Sequence, residues 1–256
     1  MFSASEPQWA GSPAAPARGE LQTIAAAREL RGARSVLIGV GRPGVAALLA
    51  RRVHNRELVL VYESGTIGAK PLRVPLSIGD GELAQTADAV VGISEMFNYW
   101  IGPGRIDVAF LGAAQVDRFG NLNSTVIGYY EQPRVRLPGA GGAPEIARGC
   151  HSVVVVVPHD RRTLVAELDF LTTRGVHDCG SGHGGVDAVV TDLGILRPQG
   201  SGRELVLTEI YPGVGVELVR ERTGWPLRLA AQVASVPPPT AHELHELHEL
   251  LAGEQA

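Results

Sequence analysis

Cysteine is scarce. Cys150 and Cys179 are the only two in 256 residues, and their spacing matches no metal or redox motif. That rules out a disulfide scaffold and leaves free thiols, so the expected compartment is a reducing cytoplasm. Aromatic residues make up only 5% of the chain, which fits a glycine-rich α/β protein better than an all-β sandwich. No apolar run approaches the roughly 20 residues that a membrane helix needs. The N-terminus lacks a basic-then-apolar signal pattern, so no membrane association is expected. Positive charge is not in excess either: 23 Lys and Arg face 27 Asp and Glu, a net charge of −4. Without a broad basic field, nucleic acid is not an expected partner.

What is present is apolar residues (45%) and glycine (32 residues). That supports a real core in one large or two small domains. Residues 1–17 are rich in Ala, Pro and Ser and are expected to be loose. Helical and strand patterns alternate through 18–236, which predicts one α/β domain: an open, mostly parallel sheet with helices on both faces. The predicted helices are 20–30, 45–52, 82–91, a helix from Pro144, and 216–223. The predicted strands are 35–40, 58–62, 106–111, 123–128, 152–157, 163–170, 188–195 and 204–208. Residues 237–256 form a tail with three His-Glu-Leu triplets. His242 and His245 are one residue too close for HExxH. Leu244, Leu247 and Leu251 share one helical face, so the tail reads as a docking helix.

The chain is organised around ELVLVYESGTIGA, residues 57–69. Leu58 to Tyr62 is short and apolar, as in a strand buried on both faces, and it runs straight into Glu63-Ser64-Gly65. A carboxylate there loses water, and its pKa rises unless donors surround it. Gly65 and Gly68 let another molecule approach the backbone closely. Ligands of open α/β sheets bind at the carboxyl ends of strands, where Glu63 sits. A strand-end Glu is also built as an ion-pair partner or a helix cap, and both readings stay open on this motif alone.

Two other glycine turns carry chemistry. Gly39, Gly41 and Gly44 satisfy GxGxxG formally, but no ribose-binding acid closes the second strand. A phosphate- or substrate-facing turn is therefore expected rather than a dinucleotide site. Residues 138–144, PGAGGAP, precede a helix, and free N–H groups there suit an anion or a developing oxyanion. Ser94 to Trp100 concentrates a Met and three aromatics, as a core or interface patch or as a substrate wall. Asp117 to Asn121 is a tight-turn signature. His177, Cys179 and His183 share one loop whose spacing matches no zinc pattern, and no metal site is expected.

Four segments in this order, GVGRPGVAALLA (39–50), VYESGTIGA (61–69), RIDVAFLGAAQVDRFGNLNST (105–125) and LPGAGGAPEIA (137–147), closely resemble the β subunits of class I coenzyme A transferases, the glutaconate branch in particular. The likeness continues through DFLTTRG, VVTDLGIL and YPGVGVELVRERTGW. It implies the α/β fold shared with sugar-phosphate isomerases. It also implies that Glu63 is a nucleophile that carries coenzyme A as a glutamyl thioester in a ping-pong exchange between acyl-CoA and a carboxylic acid. Ser64, Gly65, Gly141, Gly142 and Ala143 are then the substrate- or CoA-facing residues, with Asn123 a further candidate. Coenzyme A is expected as a substrate, with no permanently bound cofactor. An α-type partner subunit is expected, in a heterodimer or an α2β2 heterotetramer. Relatives on this scaffold include hydrolases and decarboxylases, where the Glu is expected to be replaced, so the Glu63 context favours transfer. A ligand-sensing or structural subunit is the non-catalytic alternative. Segment 174–185 and the tail depart from the family pattern.

Overall fold

Parallel pairing of the apolar runs builds the centre of the molecule. This computed structural model describes residues 16–39, 41–175 and 184–253. The central block is β11 (Val186–Val190), β10 (Ser152–Val156), β5 (Val108–Leu111), β1 (Ser35–Leu37) and β2 (Val59–Val61), side by side and all parallel. Antiparallel strands extend both edges. β3 (Thr66–Ile67) and β4 (Ala89–Val90) lie beyond β2, while β12 (Gly194–Gln199) and β13 (Glu204–Ile210) lie beyond β11. β14 (Arg228–Ser235) pairs parallel with β13 at the far edge of this ten-stranded sheet. Two ribbons stand apart: β6 (Gln115–Val116) with β7 (Leu122–Asn123), and β8 (Val126–Gly128) with β9 (Pro133–Arg136).

Strand alternation sends successive side chains to opposite faces, and each face has its own core. Val36, Leu60, Tyr62, Val108 and Phe110 pack with α1 (Arg18–Arg28), α2 (Arg42–Val53) and α7 (Ala241–Ala252). Leu37, Val61, Ala109, Val153 and Val155 pack on the other side with helical residues Met96, Ile101, Ile146 and Val219. The helices on that side are the turn α4 (Ile93–Glu95) with its widened continuation Met96–Ile101, α5 (Ala143–Gly149) and α6 (Val216–Glu221). Each fully buried Val or Leu contributes about 1.5–3 kcal/mol. The helices therefore cover both faces, as the alternation predicts.

The tail does dock. Leu247 and Leu250 are buried in the first core, with Leu244 and Leu251 packed at its margin. Thr240 and Glu243 form a reciprocal cap at the start of α7. The Glu243 carboxylate is 1% exposed and accepts from Arg28 Nε and Nη2, both at 2.7 Å.

Four predicted elements differ. The strand predicted over 123–128 is broken: β7 ends at Asn123, whose Oδ1 accepts from the Thr125 and Val126 amides at 3.0 and 3.3 Å and turns the chain into β8. Residues 163–170 alternate like a strand but form turns. Asp160 Oδ1 accepts from the Arg162 and Thr163 amides at 2.8 and 3.0 Å, which bends the chain before pairing can extend past an isolated bridge from Leu164 to Val116. The predicted strand 188–195 is broken by Thr191, whose hydroxyl accepts from the Leu193 and Gly194 amides and donates to Gly194 O at 2.7 Å, turning β11 back into β12. The helix predicted over 82–91 stops early: α3 spans Gly81–Thr86, and Ala89–Val90 extends to pair with β3. Residues 1–15, His177, Cys179, His183 and the last three residues lie outside the described residues.

Candidate active site

Sheet topology alone places a cleft. The chain leaves β1 for β2 on one side and later returns to β5 on the other, so β1 is the point where strand order reverses. The carboxyl ends of β1, β2 and β5 diverge there around a cleft of about 280 Å³. Gly39 and Pro43 after β1, Glu63 after β2, Gly112 after β5 and the loop 138–143 form its walls. The GxGxxG turn thus faces the same cleft as Glu63.

Glu63 is held by a tight turn. The Gly65 amide donates to Tyr62 O at 2.9 Å, and Tyr62 N–H donates to Thr66 O at 3.0 Å. Gly65 has φ +115° and lies against Val91 O, so a β-carbon there would overlap the carbonyl. The Glu63 side chain is half-buried, and burial raises its pKa. Among the described residues it has no hydrogen-bond or ion-pair partner. On its other side lies a second hollow of about 530 Å³, walled by Glu63, Ser64, Ile78, Ile93, Phe97 and Gly142. A single carboxylate therefore borders two spaces.

Gly142 marks the partition. A β-carbon built on it would stand 2.7 Å from Glu63 Oε2 and 2.5 Å from Phe97 Cζ. Phe97 reaches this point because the helix widens: Gly102 N–H donates to Phe97 O, five residues back, at 2.9 Å. Ser124 holds the glycine loop from the opposite side. It donates through Oγ to Gly139 O and accepts from Gly139 N–H through its carbonyl, both at 2.8 Å. Thr172 Oγ1 accepts from the Ser124 amide at 3.0 Å and pairs with Thr125 Oγ1 at 2.7 Å. The loop then turns through Gly139 (φ +104°) and Gly141 (φ +51°). Neither the Gly141 nor the Gly142 N–H has an acceptor among the described residues.

The structure brings most of the predicted residues together. Glu63, Gly141 and Gly142 line both spaces, Ala143 lines the first and Ser64 the second. Among the described residues Ser64 Oγ is buried without a hydrogen-bond partner. Gly65 shapes the turn rather than a wall. Asn123 is not brought to the site: it is fully buried, donates to Gln115 Oε1 and Val126 O at 2.7 Å, and accepts from the Thr125 amide at 3.0 Å. The neighbouring Ser124 faces the cleft instead. Among the described residues no cluster of three or more His, Cys, Asp or Glu is placed to hold a metal ion, and no helix is long and apolar enough to cross a membrane.

Comparison with known proteins agrees with this fold. The family model described as "Coenzyme A transferase" matches residues 20–222. The B-type chain of 3-oxoadipate CoA-transferase from Pseudomonas knackmussii is 51% identical over 241 residues, covering 91% of this chain and 92% of that one. The B-type chain of glutaconate CoA-transferase from Acidaminococcus fermentans is 32% identical over 84% of this chain and 85% of its own. The crystal structure of that organism's glutaconate coenzyme A-transferase superposes with a TM-score of 0.85 at 28% identity, over 91% and 94% of the two chains. The decarboxylase AibA/AibB superposes with a TM-score of 0.79 at 25% identity over the same shares.

Proposed function

Because the chain belongs to the coenzyme A transferase family as a β-type subunit, we propose that it moves coenzyme A between an acyl-CoA and a carboxylic acid by way of a Glu63–CoA thioester. A Glu63 oxygen attacks the thioester carbonyl, the C–S bond breaks, and CoA leaves as the thiolate while an acyl–glutamyl anhydride forms. The thiolate attacks the Glu63 carboxyl carbon and displaces the donor acid as its carboxylate. An acceptor carboxylate then attacks the same carbon, the thiolate leaves again, and it takes the acceptor's acyl group, which frees Glu63. No net proton is gained or lost. Splitting the exchange into two anhydrides and one thioester of comparable energy is what a carboxylate nucleophile offers.

The observation that carries the reading is the Glu63 carboxylate itself, unpartnered among the described residues and half-buried at the border of two spaces. No counter-charge there blunts its nucleophilicity. The free N–H groups of Gly141 and Gly142 are the donors for the oxyanion that each attack creates. We assign a 3-oxo dicarboxylic acid of the 3-oxoadipate type as acceptor, on the 51% identity to a protein of that name. The enzyme works with an α-type subunit as a heterodimer or an α2β2 assembly in the cytoplasm, and coenzyme A is its substrate rather than a resident cofactor.

The test is a Glu63→Ala chain assembled with its partner. Exchange should vanish while assembly stays normal; retained turnover refutes the assignment. The solved decarboxylase of this fold makes a control worthwhile. Free CoA or carbon dioxide released without any acceptor acid would point to hydrolysis or decarboxylation.

A further inference from the structure

The walls around Glu63 explain the reacting end of an acyl-CoA but not its other end. That end is an adenine ring with a 3′-phosphate and a diphosphate. It needs cations and an aromatic or flat apolar face, and the residues lining the two spaces at Glu63 include no Lys or Arg.

The β8–β9 hairpin supplies both, and it begins at the cleft. At its open end Leu137 N–H donates to Thr125 O at 3.0 Å and Gly139 N–H to Ser124 O at 2.8 Å, and Ser124 and Gly139 line the cleft. From Thr125 to Tyr129 the ribbon extends about 13 Å at ~3.3 Å per residue, within reach of an extended pantetheine arm. In a chain poor in aromatics its tip carries Tyr129, 87% exposed, and Tyr130, 50% exposed. Tyr130 stacks on Phe170 with ring centroids 5.3 Å apart. The Arg136 guanidinium lies 4.9 Å from the Tyr130 ring centroid and donates to Tyr130 O at 3.2 Å. Arg134 and Arg136, two apart on β9, share one face of the ribbon. Both are exposed, and neither pairs with a carboxylate among the described residues. The nearby acids are Glu131 at the tip and Asp169, whose carboxylate accepts from Gly128 N–H and Gln115 Nε2 and ties the ribbon down.

We propose that this hairpin is the nucleotide handle of the site, with Arg134 and Arg136 on the phosphates of coenzyme A and Tyr129 against its adenine. The assignment rests on the transferase reading for its ligand but can be tested apart from it. The preparation is the complete enzyme with its partner subunit. The probes are adenosine 3′-phosphate 5′-diphosphate in titration calorimetry, and an acyl-pantetheine thioester, which lacks the nucleotide, in the exchange assay. The Arg134→Ala/Arg136→Ala enzyme should bind the nucleotide about tenfold more weakly or worse, since one charge-assisted contact of ~1.4 kcal/mol is a factor of ten. KM for acyl-CoA should rise by the same factor, while kcat/KM for acyl-pantetheine and KM for the acid stay unchanged. Tyr129→Ala, at an exposed position that cannot disturb folding, should show the same pattern. Nucleotide binding that is absent in the wild type or unaltered in the variants overturns the proposal, and so does an equal loss on acyl-pantetheine. Failure of the variants to assemble also overturns it, by making this face a contact between subunits. A wild type that binds the nucleotide but transfers no CoA would sink the transfer reading and leave the handle standing.

Discussion

Replacing Gly142 with alanine separates catalysis from stability. Gly142 has φ −89° and ψ 1°, a conformation alanine adopts without backbone strain. The new methyl would meet Glu63 Oε2 at 2.7 Å and Phe97 Cζ at 2.5 Å. Ordinary carbon contacts need about 3.5 Å, so both neighbours must move by most of an ångström. Each is the far end of a side chain beside open space, so the fold can yield cheaply and Tm should change by only a few degrees. The nucleophile cannot yield so cheaply. A displacement near 1 Å costs about 10²-fold in rate, and the methyl also crowds the oxyanion donors. We therefore expect kcat to fall about 10²-fold in the assembled enzyme. Gly141→Ala is the control: its φ of +51° is left-handed but its β-carbon would meet nothing within 4 Å. It should cost about 1–2 kcal/mol of stability and far less activity. Wild-type kcat in Gly142→Ala, or a kcat loss in Gly141→Ala as large as its partner's, would refute the contact between loop and carboxylate.

Further expectations follow from buried titratable groups. Burial raises the Glu63 pKa, so the fold loses stability as pH rises through the ordinary carboxylate range. Glu63→Gln should match the wild type in Tm at pH 4 and exceed it at pH 7; a lower Tm at pH 7 would mean the carboxylate is stabilised by donors. Glu243, hydrogen-bonded to Arg28 and the Thr240 amide despite its burial, is held down to about 2. Its contribution is complete above the unfolded value near 4.3 and disappears as pH falls toward 2. His54 beside it is held below its usual value, chiefly by burial and then by the Arg31 charge, so the fold loses stability as pH falls below the ordinary histidine value of about 6.5. Glu243→Ala takes the carboxylate from Arg28, whose guanidinium keeps only the Pro237 and Pro238 carbonyls, and should destabilise by about 3 kcal/mol; hydrogen exchange should then open α7 first, and unchanged protection there would contradict this role for the Arg28–Glu243 pair. The Cys150 thiol is pushed up to about 12 by burial. In the native protein it should resist iodoacetamide at pH 8, and rapid labelling of its peptide would show that the core around it opens.

Much of this is legible in the residues because buried parallel strands and glycine turns leave local signatures. The Leu58–Tyr62 run with Glu63 behind it marks a strand end, and the glycines before Pro144 mark the loop that meets it. Long-range partners leave no such mark. Nothing near Asn123 signals that its amide is spent on Gln115 and Val126, which leaves Ser124 to face the cleft. Phe97 reads only as part of an aromatic patch, because a widened helical turn has no clear sequence pattern. β9 and β14 show no apolar alternation because their residues are largely exposed. The alternation at 163–170 misleads because side chains of Asp160 and its neighbours, rather than periodicity, decide the local path.

The most direct measurement is the mass of this chain after the complete enzyme is mixed with acyl-CoA and no acceptor acid. A chain heavier by coenzyme A less one water is expected, with the thioester mapped to the peptide carrying Glu63 and discharged when acceptor is added. An unmodified chain during active turnover, or an adduct on any other residue, would contradict it.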